Sequence, residues 1–91
     1  MTIKWVKNTH RSKPRISVVV SKKVLKSAIG RNRIRRRVYE YMRINLQKLN
    51  DVYDIVVIVT SPEPKDIPYA ELAEQLDGLF DKAGVYKTSQ K

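Results

Sequence analysis

The chain has 91 residues, no cysteine and a formal net charge of +10. Its length predicts one small domain over residues 1–91, with no room for a second core. The lack of cysteine excludes disulfides and thiolate zinc sites, and a single histidine, His10, cannot hold zinc by itself. The longest apolar run, Ile55–Val59, is too short to cross a bilayer, and residues 1–4 lack a signal peptide's apolar core, which favours a cytoplasmic protein.

Two short strands are predicted near the start of the chain. Ile3–Val6 is a β-prone piece, and Arg15–Ser21 alternates as a half-buried strand does. The polar stretch Asn8–Pro14 lies between them, so we expect the two strands to pair as an antiparallel hairpin with a loose loop. One face of the second strand would carry Ile16, Val18 and Val20.

A long helix is predicted after the basic connector Lys22–Lys26. Ser27 is a good N-cap residue, and the pattern predicts a helix from there to about Lys48. Its apolar positions fall within about 140° of arc, which is typical of a helix packed on one side. These positions are Ile34, Val38, Tyr41, Met42, Leu46 and Leu49, and the opposite arc carries Asn32, Arg33, Arg35, Arg36, Arg37, Tyr39, Glu40 and Arg43.

The second half predicts one more strand and one more helix. Tyr53–Thr60 is rich in β-branched residues, which is typical of an inner strand buried on both faces or nearly so. Pro68–Ala83 has apolar residues at helical spacing, with Pro68 at its first position and Gly84 as its stop. The order ββαβα predicts the α+β class, a small sheet with helices packed on it. We expect the tail, residues 86–91, to be frayed.

The positive charge is confined to one half of the sequence. Residues 1–48 contain fifteen lysines and arginines and one acid, whereas residues 49–91 contain four lysines and eight acids. This asymmetry indicates that one side of the molecule meets a polyanion, with nucleic acid favoured over an anionic membrane surface.

The segment SAIGRNRIRRRVYEYMR, residues 27–43, concentrates this charge, with six arginines and one acid. A merely solvated helix face would mix both signs, because like charges at helical spacing repel. A lipid-binding helix would need bulky exposed apolar residues, but here the apolar stripe is needed for the core. The forked guanidinium group of arginine binds phosphate through two hydrogen bonds, so the segment is interpreted as binding the phosphate backbone of a nucleic acid.

The sequence resembles the protein subunit of bacterial ribonuclease P. The resemblance rests on the strand end Val20–Val24 (VSKKV), on AIGRNRIRR at residues 28–36, and on the later strand and last helix. It covers about residues 15–88. It implies an uncommon left-handed β-α-β crossover around the arginine helix, where physical reasoning expects a right-handed one. In that family an N-terminal helix walls one side of a cleft, and we expect no residues of this sequence to form that helix.

The resemblance also implies a function. The protein would bind the catalytic RNA and the 5′ leader of precursor tRNA, promoting 5′ maturation of tRNA as a subunit of this endoribonuclease. The RNA would perform the chemistry with Mg²⁺, while the protein itself would carry no catalytic residue, no metal and no cofactor. The acids Asp51, Asp54, Glu63 and Asp66 are interpreted as solvated loop residues.

Carried over position by position, the resemblance implies two sets of contacts. A cleft floored by the sheet would hold the leader, with Trp5, Ser17 and Tyr39 as candidates, because aromatic side chains stack on unpaired bases. For Trp5, a place in the core or at the edge of the sheet is an equal alternative. The RNA-binding set is Ser21, Lys22, Lys23, Lys26, Arg31, Asn32, Arg33, Arg35, Arg36 and Arg43.

Departures from the family pattern concern the cleft and the loop before the helix. Leu25-Lys26 stands where the family usually has Gly-Asn, Tyr39 where it commonly has arginine, and Thr60-Ser61 where a basic pair often follows the strand. Two other functions stay open. One is a ribosomal or general RNA-binding protein, and the other is a protein-only nuclease, which the lack of a carboxylate cluster disfavours.

Overall fold

The computed structural model describes residues 1–87, which form three strands and two α-helices in the order ββαβα. No helix among these residues is long and apolar enough to span a membrane. Two 3₁₀ turns, Leu46–Lys48 and Glu63–Lys65, follow the first helix and the third strand. The elements are β1 (Thr2–Lys7), β2 (Arg15–Val20), α1 (Ala28–Asn45), β3 (Tyr53–Val59) and α2 (Tyr69–Ala83).

The sheet has the strand order β1-β3-β2, so the predicted β1–β2 hairpin is wrong. β3 lies in the centre, antiparallel to β1 and parallel to β2. The strand with the most continuous apolar run takes the position where both of its edges are paired, and the loop over residues 8–14 crosses its end. β2, α1 and β3 therefore form a parallel crossover, whose left-handed sense stays a prediction from the resemblance.

The core lies between one face of the sheet and the two helices. Ile55, Val57 and Val59 of β3 point into it and are 2% exposed or less. The opposite face of β3 is half-buried, so burial on both faces is confirmed only in part. We call that opposite side the open face; it carries Thr2, Lys4, Val6, Arg15, Ser17, Val19, Asp54, Val56 and Ile58.

The predicted helix boundaries hold within a few residues. The Ser27 hydroxyl accepts a hydrogen bond from the backbone N–H of Gly30 (3.1 Å), which confirms the N-cap. α2 ends at Gly84, whose φ of 77° lies in the left-handed region that glycine adopts most easily. Pro68 is the N-cap of α2, one position before the helix starts.

The sequence predicted a frayed tail from residue 86, but residues 86 and 87 pack against the rest of the fold. Tyr86 is 8% exposed, stacks on Phe80 with ring centroids 5.1 Å apart, and shares a hydrogen bond with the Tyr41 hydroxyl (2.7 Å). Tyr41 in turn donates to the carboxylate of Asp77 on α2. The backbone N–H of Lys87 donates to the carbonyl of Lys48, in the 3₁₀ turn that follows α1 (2.6 Å). These contacts join the chain after α2 to α1, and residues 88–91 lie outside the described part.

Replacing Tyr86 by alanine should lower the free energy of unfolding by about 3 kcal/mol, because a buried aromatic side chain is lost. Replacing it by phenylalanine should cost only about 1 kcal/mol, because only the shared hydrogen bond is lost. Urea unfolding followed by circular dichroism measures both. A Tyr86→Ala variant as stable as the wild type would show that this residue does not pack as described.

Stability should fall when tyrosines ionise at high pH. Burial raises the pKa of Tyr86 to about 12 and that of Tyr41 well above its usual value. Since the folded state holds these protons more tightly, their stabilisation is complete below about pH 10 and is lost as the pH rises above it. The stability difference between the wild type and Tyr86→Phe should therefore shrink from pH 9 to 12. A constant difference would contradict the burial of this hydroxyl.

Candidate nucleic-acid interface

The outer side of α1 carries a dense group of arginines with few acidic partners. The acid within this helix, Glu40, forms an ion pair with Arg43 (2.7 Å), and that hydrogen bond lowers the pKa of Glu40. Among residues 1–87, no carboxylate lies within ion-pair distance of the remaining arginines of α1. We call Arg31, Asn32, Arg33, Arg35 and Arg36 the arginine face.

Three arginines of α1 bind the carbonyl groups of two neighbouring loops. Arg31 donates through Nη1 to the carbonyls of residues 25 and 26 (2.9 and 2.8 Å), and Arg33 donates through Nε to that of residue 65 (2.8 Å). Arg37 donates through both terminal nitrogens to the carbonyls of residues 64 and 67 (2.7 and 2.6 Å). Carbonyls do not neutralise the charge, so these contacts orient Arg31 and Arg33 and leave their other N–H groups for a ligand. Both terminal nitrogens of Arg37 are used to hold the loop, so Arg37 is not part of the arginine face.

The predicted basic residues before α1 join the same surface. Ser21 begins a tight turn, because its carbonyl accepts hydrogen bonds from the backbone of residues 24 and 25 (3.1 and 3.2 Å). Lys22, Lys23 and Lys26 are exposed. The bonds from Arg31 hold this connector against the first turn of the helix. The structure therefore brings the predicted connector residues and the arginine face together.

Arg43 is separated from that group. It lies twelve residues after Arg31, which is about 18 Å along the helix, and its charge is offset by Glu40. Of the predicted RNA-binding residues, it is the one that the structure places farthest along the helix from the others in α1.

A shallow groove of about 460 Å³ runs along nearly three turns of α1, beside the arginine face. Its ends are apolar or aromatic, since Ile29 is 81% exposed and Tyr39 is 41% exposed. Between them, Arg35 donates through Nη1 to the amide oxygen of Asn32 (2.6 Å), which orients both side chains. Cations beside an exposed aromatic ring suit an unpaired nucleotide. Sequence reasoning missed Ile29; its signal was an apolar residue outside the core stripe. The lining residues are Ile29, Asn32, Arg35, Arg36 and Tyr39.

The three candidates for the leader cleft do not come together. Trp5 pairs with Ile55 and shares its face of the sheet, beside the end of α2, where it is 42% exposed. Ser17 pairs with Val56 and lies on the open face. Tyr39 lies in the groove of α1. One cleft cannot hold both Trp5 and Ser17, and Trp5 takes the edge position that the sequence left as an alternative.

The carboxylates form no site in the described part of the chain. Asp51 forms an ion pair with Lys7 (2.9 Å), whose hydrogen bond lowers the pKa of Asp51, and Asp66 lies 3.7 Å from the ammonium of Lys65. No group of three His, Cys, Asp or Glu side chains among residues 1–87 could hold a metal ion.

Comparisons with known proteins match the whole region that carries this interface. Residues 1–84 match the family described as Ribonuclease P. The ribonuclease P protein component of Pseudanabaena sp. is 38% identical over 85 residues, covering 93% of this chain and 72% of that protein. That of Thermus scotoductus is 37% identical over 86 residues, covering 93% of this chain but 48% of that protein. The chain thus spans about half to three quarters of the length of these relatives.

A solved structure agrees with the fold. The RNase P protein of Staphylococcus aureus superposes with a TM-score of 0.79 at 26% sequence identity, covering 93% of this chain and 75% of that one. The α+β class and the placement of two helices on a three-stranded sheet agree with this similarity.

Gly30 allows the loops to approach the arginine face, and a matched pair of variants tests this. A Cβ at Gly30 would lie 2.7 Å from Cδ2 of Leu25, whereas a Cβ at Gly78 in α2 would meet nothing within 4 Å. Gly78→Ala should raise the free energy of unfolding by about 1 kcal/mol through helix propensity. Gly30→Ala should gain clearly less or lose stability in urea unfolding. Equal gains would show that the connector is not packed closely here.

Proposed function

Because this chain belongs to the ribonuclease P protein family, we propose that it is the protein subunit of a ribonuclease P. In this role it binds the catalytic RNA and the 5′ leader of precursor tRNA, and it promotes removal of the leader by the RNA. The observation that carries the proposal is the arginine face, whose cations lack acidic partners in residues 1–87 and are oriented by loop carbonyls.

The arginine face fits the phosphate backbone of a folded RNA. Each free guanidinium edge can donate two parallel hydrogen bonds to a phosphate. These bonds are stronger than neutral hydrogen bonds because both partners are charged. Because Arg31 and Arg33 are already held by carbonyls, less side-chain entropy is lost when they bind. The exposed lysines of the connector, Lys22, Lys23 and Lys26, extend this surface.

The leader of the precursor is assigned to two places. Tyr39 in the groove of α1 can stack on an unpaired base while Arg35 and Arg36 meet its phosphates. Ser17 lies on the open face, where its hydroxyl can donate a hydrogen bond to, or accept one from, a single-stranded RNA leader that crosses the sheet. Trp5 is assigned to packing beside α2, because it lies on the other face.

The protein promotes the reaction by binding and not by chemistry of its own. RNA performs the cleavage with Mg²⁺ bound to the RNA, and the protein offsets the repulsion between two polyanions at low salt. We place this activity in the cytoplasm, which suits a chain with no cysteine.

A general RNA-binding protein is the second candidate, because charge alone attracts any RNA. The two functions differ in selectivity. The proposed subunit should prefer ribonuclease P RNA to an unrelated folded RNA of equal length, whereas a general binder should bind both equally in competition assays.

Replacing Arg35 and Arg36 by glutamine should weaken binding to ribonuclease P RNA and lower its salt dependence. Loss of two phosphate contacts should reduce the slope of log K against log salt by about 1.4 to 1.8 units. Neither residue holds a loop, so the fold should persist. The matched control Lys82→Gln/Lys87→Gln removes the same charge beyond α1 and should leave the slope nearly unchanged. Equal slopes for both variants would contradict the proposed interface.

A further inference from the structure

We propose that Arg37 is a positioning residue for the arginine face. It holds the loop at residues 62–67, and through a carbonyl of this loop it fixes the guanidinium of Arg33. We call this segment the 62–67 loop; it contains the second 3₁₀ turn. The proposal rests on the proposed function, because it assumes that Arg33 binds RNA. Arg37 itself does not contact the RNA.

Arg37 binds the 62–67 loop at two points. Its Nη1 donates to the carbonyl of Pro64 (2.7 Å), and its Nη2 donates to the carbonyl of Ile67 (2.6 Å). The planar guanidinium presents these two nitrogens as a rigid fork, so both bonds form only when the two carbonyls keep one relative position. A lysine ammonium donates from a single atom and does not reproduce this arrangement. The shape of the loop is therefore matched to an arginine at position 37.

The same loop binds Arg33. The carbonyl of Lys65 lies along the chain between the two carbonyls that Arg37 binds, and it accepts a hydrogen bond from Nε of Arg33 (2.8 Å). Among residues 1–87, this is the one hydrogen bond that the side chain of Arg33 makes. Arg33 is exposed, and its two terminal nitrogens remain available to a ligand. The direction in which Arg33 points is therefore set by a loop carbonyl that Arg37 keeps in place.

The 62–67 loop is attached to α1 by few other contacts. Pro64 is fully buried, and a Cβ at Gly30 would lie 3.3 Å from Cδ of Lys65, so the loop lies close to the first turns of the helix. The backbone N–H groups of residues 65, 66 and 67 donate to the carbonyls of residues 62 and 63 (3.0 to 3.4 Å), which shapes the turn but does not tie it to α1. Within residues 1–87, the hydrogen bonds from α1 to this loop come from Arg33 and Arg37 alone.

The contacts of Arg37 fit two other roles less well. A direct RNA contact needs free donors, yet both terminal nitrogens of Arg37 are used and its side chain is half-buried. A role in stability alone does not explain the charge, because no carboxylate among residues 1–87 lies within ion-pair distance of Arg37. That charge adds to the repulsion between the arginines of α1. A role in ordering its charged neighbour accounts for both observations.

Fixing Arg33 before RNA arrives strengthens binding without adding a contact. A long side chain that is already held loses less conformational entropy when it binds, so release of Arg33 should weaken RNA binding about fivefold. The salt dependence of binding reports the number of phosphates neutralised, and this number does not change when both cations are kept. Loss of positioning should therefore lower the affinity and leave the salt dependence as it was.

The test uses Arg37→Lys, which keeps the charge and removes the two-point hold on the loop. The apolar stripe of α1 is unchanged, so the variant should fold, and circular dichroism checks this. In NMR spectra of the free protein, the Nε–H signal of Arg33 should exchange with water faster than in the wild type. The affinity for ribonuclease P RNA should fall about fivefold, with an unchanged slope of log K against log salt.

A second measurement shows whether this loss acts through Arg33. In an Arg33→Gln background, Arg37→Lys should cause no further loss of affinity, because the side chain that it positions is gone. The matched control is Lys23→Gln, which removes an exposed cation of the connector and should cause the same loss in both backgrounds. An equal loss from Arg37→Lys in both backgrounds would overturn the proposal.

The outcomes separate this proposal from the proposed function. If Arg37→Lys leaves either the Arg33 signal or the RNA affinity unchanged, while the wild type prefers ribonuclease P RNA, positioning by Arg37 is overturned and the proposed function stands. If Arg37→Lys releases Arg33 and weakens binding to ribonuclease P RNA and to an unrelated folded RNA alike, and the wild type does not discriminate between them, the positioning role stands and the proposed function fails.

Discussion

The central strand, β3, has to be buried, and its burial sets the positions of the other strands and of both helices. β3 is the most apolar strand, and the chain covers it by pairing both of its edges and packing helices on one face. β1 and β2 must then lie on opposite sides of it, and α1 must cross from β2 to β3. This arrangement places the arginine-bearing helix against the sheet and the basic loop across the sheet's end.

The two sides of α1 have different roles. Its apolar stripe, which includes the fully buried Ile34 and Val38, holds it on the sheet. Its other side collects guanidinium groups, which would repel each other and extend freely in water. The loop carbonyls that Arg31, Arg33 and Arg37 bind fix several of these groups without removing their charge. The helix is thereby both a core element and a preorganised cationic surface.

Local signals in the sequence predicted the elements well. Ser27 as N-cap, Gly84 as stop and the apolar stripe of α1 depend on short-range chemistry, which a sequence displays directly. The false hairpin shows the limit, because the alternation of β2 tells which face is buried but not which strand lies beside it. The role proposed for the helix came from the family resemblance, because no periodicity could indicate it.

The candidate site could be predicted only in part, because some of its features depend on contacts between distant parts of the sequence. Clustering of arginine indicated an anionic partner, but the division between Arg37, which serves a loop, and Arg36, which is exposed, depends on contacts with residues about thirty positions away. Trp5 and Ser17 could not be assigned to a face relative to each other until the partner strand was known. Tyr86 belonged to an apparent tail, and its burial depends on Phe80 and Tyr41.

Reconstitution with RNA decides whether this chain acts as a ribonuclease P subunit. The purified chain would be mixed with a bacterial ribonuclease P RNA, and cleavage of a precursor tRNA with a 5′ leader would be followed at low Mg²⁺. We expect faster cleavage at the mature 5′ end than with RNA alone, because the protein screens the charge between the two RNAs. Tight and selective binding without stimulation would contradict the assigned leader contacts. Binding without selectivity, and with no stimulation, would contradict the assignment as a ribonuclease P subunit.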